Sequence, residues 1–298
     1  MCFARHLVST AFLVGALAIA APAHAACDAA AAVDHPAHAR ANADAMRNML
    51  GQADAALAQR NFAEACLKYR MVLSVDPNNI AAHIGLGEGA LGESDYVSAR
   101  SHFQSVLDAA PDEAIALEGA GLARMMSGDL SGAEPLLRHS VQVDPTRWRS
   151  WNALGVIADS RNDAAAADAA WTAAIAAAPN EAAIYNNKGM SLLQRNDAAG
   201  ARAAFDQALQ LNPGLVTASS NRRVALAMLG QYDAALAGIS DQDLPAALNN
   251  VAVIAARRGD RAIADRLLAA AITASPQYYE LAVRNREAIG QAEAAHNS

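Results

Sequence analysis

Cysteine is scarce in this chain, basic charge is gathered into no stripe, and the motifs of catalysis are missing. Its three cysteines are Cys2, Cys27 and Cys66, and neither Cys-x-x-Cys nor His-x-x-x-His spacing occurs, which removes the common zinc patterns. His83, His102 and His139 fall at unrelated places and read as surface histidines. Ser191 and Ser219 lack the flanking glycines of a nucleophile elbow. With no converging acid, base, nucleophile or metal ligand, no enzymatic activity, cofactor or metal is expected, and an enzyme of unrecognised type is the minor alternative. The missing basic stripe argues against nucleic acid. Long apolar runs are also few: residues 164–178 are alanine-rich but broken by Asp168, short of the roughly 20 residues that cross a bilayer.

What is present starts at the N-terminus. Arg5 and His6, an apolar run over residues 7–21 and the small-x-small ending Pro22-Ala23-His24-Ala25 predict a secretory signal peptide at residues 1–25 and a periplasmic mature chain. Residues 26–45 follow as a flexible, alanine-rich leader that ends in the start of a first helix. Two readings of the exit stay open. Cleavage after Ala25 leaves a soluble protein whose Cys27 and Cys66 are free to pair in an oxidising compartment. Lipidation of Cys27 instead makes an outer-membrane lipoprotein, with His24-Ala25-Ala26 placed as a lipobox but carrying His where Leu is usual. Cys66 itself lies in a helical stretch and reads as a small buried hydrophobe. Losing Arg5 with the signal leaves 22 basic against 30 acidic residues, a formal charge of −8. That charge disfavours adsorption to an anionic membrane, so membrane contact is expected only through a lipid at Cys27.

The main signal is an interval. Pro77, Pro111, Pro145, Pro179 and Pro213 are each 34 residues apart, and fixed periods in this range mark helical solenoids. Framed with the proline at position 32, the repeats are 46–79, 80–113, 114–147, 148–181 and 182–215. Position 8 is Ala53, Gly87, Gly121, Gly155 and Gly189; position 20 is Ala65, Ala99, Ala133, Ala167 and Ala201; position 24 is Tyr69, Phe103, Leu137, Trp171 and Phe205. This pattern predicts two antiparallel helices per repeat, crossing where only a hydrogen or a methyl fits, with the large residue at position 24 filling the space beside the crossing. Gly128-Asp129, Asn162-Asp163 and Asn196-Asp197 mark the reversal between them. The proline ends the second helix, since it has no backbone donor and restricts its predecessor. Gly85-x-Gly87-x-Gly89 has the outline of a phosphate loop but falls inside a first helix at the packing position, and so reads as structural.

Two less regular units follow, 216–244 and 245–276, and residues 277–298 read as a capping helix and tail. The sixth unit is about five residues short in its second helix, and Arg222 and Arg223 stand at its positions 7 and 8, where Leu and Gly are expected. A guanidinium does not fit a methyl-sized gap without cost, so this unit is expected to pack differently.

These positions resemble the tetratricopeptide repeat family over residues 46–276. The resemblance implies an all-α, right-handed solenoid of about seven helix pairs plus a cap, whose first helices line a concave groove through positions 2, 5, 6, 9, 12 and 13. At positions 5 and 6 stand Asn152, Asn186, Asn187, Asn221, Asn249 and Asn250. Side-chain amides both donate and accept, so such a row is suited to an extended peptide backbone; the alternative is that the amides bond between neighbouring repeats and fix their stacking. Position 9 reads Asp54, Glu88, Leu122, Val156, Met190, Val224 and Val253, without the lysine and asparagine clamp for a terminal carboxylate.

The string "QYDAALAGISDQDLPAALNNVAVIAARRGD" followed by "ASPQYYELAVRN" resembles, more narrowly, the TadD family, the tetratricopeptide component of the tight-adherence (Flp) pilus system. There too an Asp-Leu-Pro turn, here Asp243-Leu244-Pro245, precedes an Asn-Asn or Ala-Asn helix, here at Asn249 and Asn250. The resemblance implies a non-enzymatic assembly factor of the cell envelope, with a secretin or pilus components as partners. The alternative is a periplasmic adaptor for another envelope process, such as recruitment of cell-wall enzymes.

Overall fold

The computed structural model describes residues 43–274 and 279–294. The expected signal segment, Cys27 and the leader up to residue 42 lie outside the described residues, as do 275–278 and 295–298 of the last repeat and tail. Among the described residues there are fifteen helices and no strand. The chain divides into two compact units, one ending at Pro179 and one starting at Asn180.

The first unit holds four helix pairs: α1 (Ala43–Ala58) with α2 (Phe62–Val75), α3 (Ile80–Gly92) with α4 (Tyr96–Ala109), α5 (Ala114–Met126) with α6 (Leu130–Val143), and α7 (Trp148–Ser160) with α8 (Ala164–Ala177). The second holds α9 (Ala182–Gln194) with α10 (Ala198–Leu211), α11 (Val216–Met228) with α12 (Tyr232–Leu236), α13 (Leu244–Arg258) with α14 (Arg261–Ala274), and α15 (Tyr279–Ala294). From the second repeat to the sixth, the first helix starts on the first residue of its frame.

Each reversal has one residue in the left-handed region, always at position 15: Arg60, Ser94, Gly128, Asn162, Asn196, Gly230 and Gly259, with φ between 58° and 92°. The next residue then caps the second helix. Asp129, Asp163 and Asp197 accept from the backbone N–H three residues on, at 2.9, 3.0 and 2.9 Å, satisfying a donor with no partner inside the helix. The far end is set by proline. The residue before each of the five periodic prolines is extended, with φ between −129° and −143°, as the proline ring requires of its predecessor.

The core is one interlock repeated. Every alanine at position 20, from Ala65 to Ala264, is buried. Position 24 is also buried in Tyr69, Phe103, Leu137, Trp171, Phe205 and Leu268. A Cβ added at position 8 would collide with that same side chain: 2.6 Å from Phe103 at Gly87, 2.7 Å from Leu137 at Gly121, 2.7 Å from Trp171 at Gly155 and 2.5 Å from Phe205 at Gly189. At these four glycines the space is therefore too small even for a methyl, and the large residue itself closes it. Position 6 faces the preceding repeat. Gly85 would place a Cβ 2.1 Å from Tyr69, and Gly119 one 2.2 Å from Phe103. After the smaller Leu137 the equivalent residue is Ala153, in the same core cluster.

The sixth unit departs from this interlock. Its second helix, α12, has five residues, and Ile239, which would be its position 24, falls in the 237–243 connection to α13. Ile239 still lines a groove beside position 8, but from the connection rather than from a helix, and Arg223 rather than glycine stands at position 8 in that groove. Arg222 turns the other way and pairs with Asp206 on α10. The short helix is tied forward instead: the Tyr232 hydroxyl donates to Asp260, Arg258 Nε donates to that hydroxyl at 3.1 Å, and Arg258 also reaches the Met228 carbonyl.

Cys66 differs from the expectation. It is buried, at 4% exposure, but it is disulfide-bonded rather than a free hydrophobic thiol. The other cysteines, Cys2 and Cys27, lie outside the described residues.

Candidate peptide-binding face

The first helices of the second unit carry five of the six predicted asparagines, and these fall into two separate hydrogen-bonded groups. Asn221 on α11 donates from Nδ2 to Asn186 Oδ1 on α9 at 3.1 Å, and Asn186 Nδ2 donates to Asn187 Oδ1 at 3.3 Å. The same arrangement recurs further on: Asn285 on α15 donates to Asn249 Oδ1 at 2.8 Å, and Asn249 Nδ2 donates to Asn250 Oδ1 at 3.4 Å. Asn250 is exposed and Asn249 is buried, at 4% exposure. Asn285 has no role in the sequence reading, although it stands about one period after Asn249. Asn152 is half-buried on α7 of the first unit.

On the first unit the equivalent face carries charge. Glu118, at position 5 of α5, is completely buried. Arg147 Nη2 donates to its Oε1 at 2.6 Å, while the Ser150 backbone N–H and hydroxyl donate to Oε2 at 3.1 and 3.0 Å. Arg149 spans three first helices, bonding both oxygens of Glu88 at 3.0 and 3.1 Å and standing 3.7 Å from Glu118. Burial works against the charge on Arg147, but the hydrogen bond and charge of Glu118 more than offset it and hold the guanidinium pKa above its ordinary value. Nothing local in the sequence marks this cluster, because the partners of Glu118 lie 29 and 32 residues on, Arg147 at the end of its own repeat and Ser150 at the start of the next.

Between α11 and α13 of the second unit lies a groove of about 480 Å³. Val224, Val251 and Ile254 supply its apolar lining, and Arg223, Ser220 and Asn250 its polar groups. Val216 at its edge is 75% exposed. Arg223 Nη1 donates to the Ser219 hydroxyl at 3.1 Å.

His83 and His102, unrelated in the sequence reading, are brought together with their Nδ1 atoms 3.2 Å apart, and His139 Nε2 lies 2.9 Å from Asp112. Among the described residues no group of three or more His, Cys, Asp or Glu side chains is placed to hold a metal, and no helix is long and apolar enough to cross a membrane.

Comparison with known proteins bears on this geometry. The sequence model of the tetratricopeptide repeat matches residues 50–114, 84–147 and 152–216, together more than half of the chain. TTC0263, a thermophilic tetratricopeptide protein of Thermus thermophilus, is 17% identical with a TM-score of 0.54, over 61% of this chain and 98% of that one. The pilF structure of Pseudomonas aeruginosa is 18% identical with a TM-score of 0.56, over 64% of this chain and 87% of that one. A chain of the APC/C Cut9-Hcn1 hetero-tetramer is 15% identical with a TM-score of 0.63, and its match takes in 81% of this chain but 48% of its own length. At these identities the likeness shows the fold alone, an all-α solenoid of helix pairs. No curated protein sequence matches the chain.

Proposed function

This chain belongs to the tetratricopeptide repeat family, whose fold is a protein–protein interaction scaffold, and we propose that it is a non-enzymatic adaptor of the bacterial cell envelope. In this reading it holds an extended segment of a partner protein along its first helices and serves the assembly of a tight-adherence (Flp) pilus or a related secretion system. The observation that carries the reading is the pair of amide clusters on the second unit. Asn186 gives one N–H to Asn187 and one acceptor site to Asn221, and since an amide has two donors and two acceptor lone pairs, one of each remains for a peptide group. The disulfide at Cys66 fits an oxidising compartment outside the cytoplasm.

The envelope reading also concerns Cys27. Transfer of a diacylglyceryl group alkylates the cysteine sulfur to a thioether, and a sulfur so alkylated is closed to a disulfide. We favour a soluble periplasmic protein over a lipoprotein anchored at Cys27, because His24 stands where a lipobox carries Leu. Intact-mass measurement of the non-reduced mature protein is expected to give a chain starting at Ala26 with both thiols oxidised; an added acyl mass on Cys27 would reverse that preference. For the pilus itself, a strain deleted for this gene is expected to lose piliation and surface adherence. Normal piliation with an altered cell wall would move the protein to the other envelope process.

A further inference from the structure

Arg222 pairs with Asp206, Arg147 with Glu118, and Arg149 with Glu88. Arg223 differs from them: it donates to the neutral Ser219 hydroxyl, and among the described residues no carboxylate pairs with it. It also occupies position 8, which elsewhere is a buried alanine or a glycine. No packing role calls for a guanidinium there, since Ile239, delivered from the connection after the shortened α12, lines a groove of about 480 Å³ beside position 8 instead of closing the space. Asp243 shares that groove, but its carboxylate accepts from the Ser240 hydroxyl at 2.7 Å in the connection before α13.

We propose that this groove is a subsite for one acidic residue, aspartate or glutamate, of the partner segment. The inference rests on the reading that the first helices hold an extended peptide. The planar guanidinium of Arg223 offers a carboxylate two parallel donors, and Asn250, exposed beside it, bonds the adjoining peptide group. An aliphatic residue next to the acidic one covers Val224, Val251 and Ile254. Val216, three-quarters exposed at the rim (75%), is covered by the same segment. The recognised group is a side-chain carboxylate within a strand-like segment, since position 9 of these repeats lacks a clamp for a chain terminus.

The test is selection of a displayed random peptide library on the immobilised protein, on Arg223→Gln and on Ser220→Glu. The second variant adds a carboxylate at an exposed site three residues before Arg223, where helical neighbours pair, and so occupies the subsite without disturbing the core. The wild type is expected to enrich peptides with Asp or Glu beside Val, Leu or Ile, and both variants to lose that acidic preference. A selected peptide labelled with fluorescein should bind the wild type about tenfold or more tighter than its Glu→Gln or Asp→Asn counterpart, a difference absent in both variants. Peptides enriched without acidic residues, or with the same acidic residues on all three proteins, overturn the subsite but leave the peptide-holding role standing. Failure of any peptide to enrich on folded wild-type protein overturns both.

Discussion

Asn221 donates its side-chain amide to Asn186 across the junction of the fifth and sixth repeats, at 3.1 Å. The seventh repeat uses Asn249 in the same way, accepting from Asn285 on α15 at 2.8 Å, but there the acceptor is buried while its neighbour Asn250 is exposed. Asn249 thus bonds between neighbouring helices while Asn250 faces solvent.

Asn249→Ala removes a buried partner of Asn285 and is expected to lower stability by about 1–2 kcal/mol. Asn250→Ala is expected to leave stability within about 0.5 kcal/mol and to weaken partner capture. Urea unfolding and a capture assay on both variants check the division; equal stability with equal capture in the two would refute it.

The glycine triplet of α3 separates packing from phosphate binding. Gly87→Ala puts a methyl 2.6 Å from Phe103, whereas a Cβ at Gly89 meets only Leu57 at an ordinary 3.8 Å. Gly87→Ala is expected to cost about 1–3 kcal/mol. Gly89→Ala should be neutral or stabilise by up to about 1 kcal/mol through helix propensity. Thermal melting of both proteins measures the contrast.

Glu118 is a buried carboxylate bonded by Arg147 and Ser150. Glu118→Ala strands the Arg147 charge and is expected to destabilise by about 3–5 kcal/mol. Adding Arg147→Met to it removes the stranded charge and should recover much of that loss. Denaturant titration of the two singles and the double gives the coupling, and strict additivity would mean the pair does not act as a unit.

Tyr69 is buried against α3, and its hydroxyl donates to Asp54 at 2.5 Å. Burial first, then the Asp54 carboxylate, pushes its pKa well above the ordinary tyrosine range. The unfolded tyrosine ionises near pH 10 or so, while the folded one keeps its proton. The stability tied to this group is therefore complete below about pH 10 and is lost as pH rises toward the folded value. Melting temperatures taken between about pH 9 and about pH 11 should fall, and less steeply in Tyr69→Phe. Tyr232, whose pKa is also raised by burial and by Asp260, adds a fall of the same sign that remains in the variant.

The period, the small residues at positions 8 and 20 and the prolines were legible in the sequence because each repeat meets the same steric requirement. Asn162 and Asn196 announce a left-handed turn through their residue type. Arg60 and Ser94 adopt the same conformation without announcing it, because the helix ends on either side impose it. Glu118 stands where the fourth, fifth and seventh repeats carry asparagine, and its burial depends on Arg147 and Ser150, residues that only the folded stack brings to it. The mismatch at Arg223 was visible as an arginine out of place, but the groove that receives it comes from the early end of α12, and its volume is a property of the fold.

The keying of position 24 to position 6 of the next repeat sets an order on the units. Tyr69 needs the bare backbone of Gly85, Phe103 that of Gly119, and Leu137 tolerates Ala153. Excising residues 80–113 would bring Tyr69 to Gly119, another socket without a side chain, whereas excising 114–147 would press Phe103 onto the methyl of Ala153. Neighbours in this array are thus not interchangeable modules, and its evolution by loss or duplication is open at some joints and closed at others.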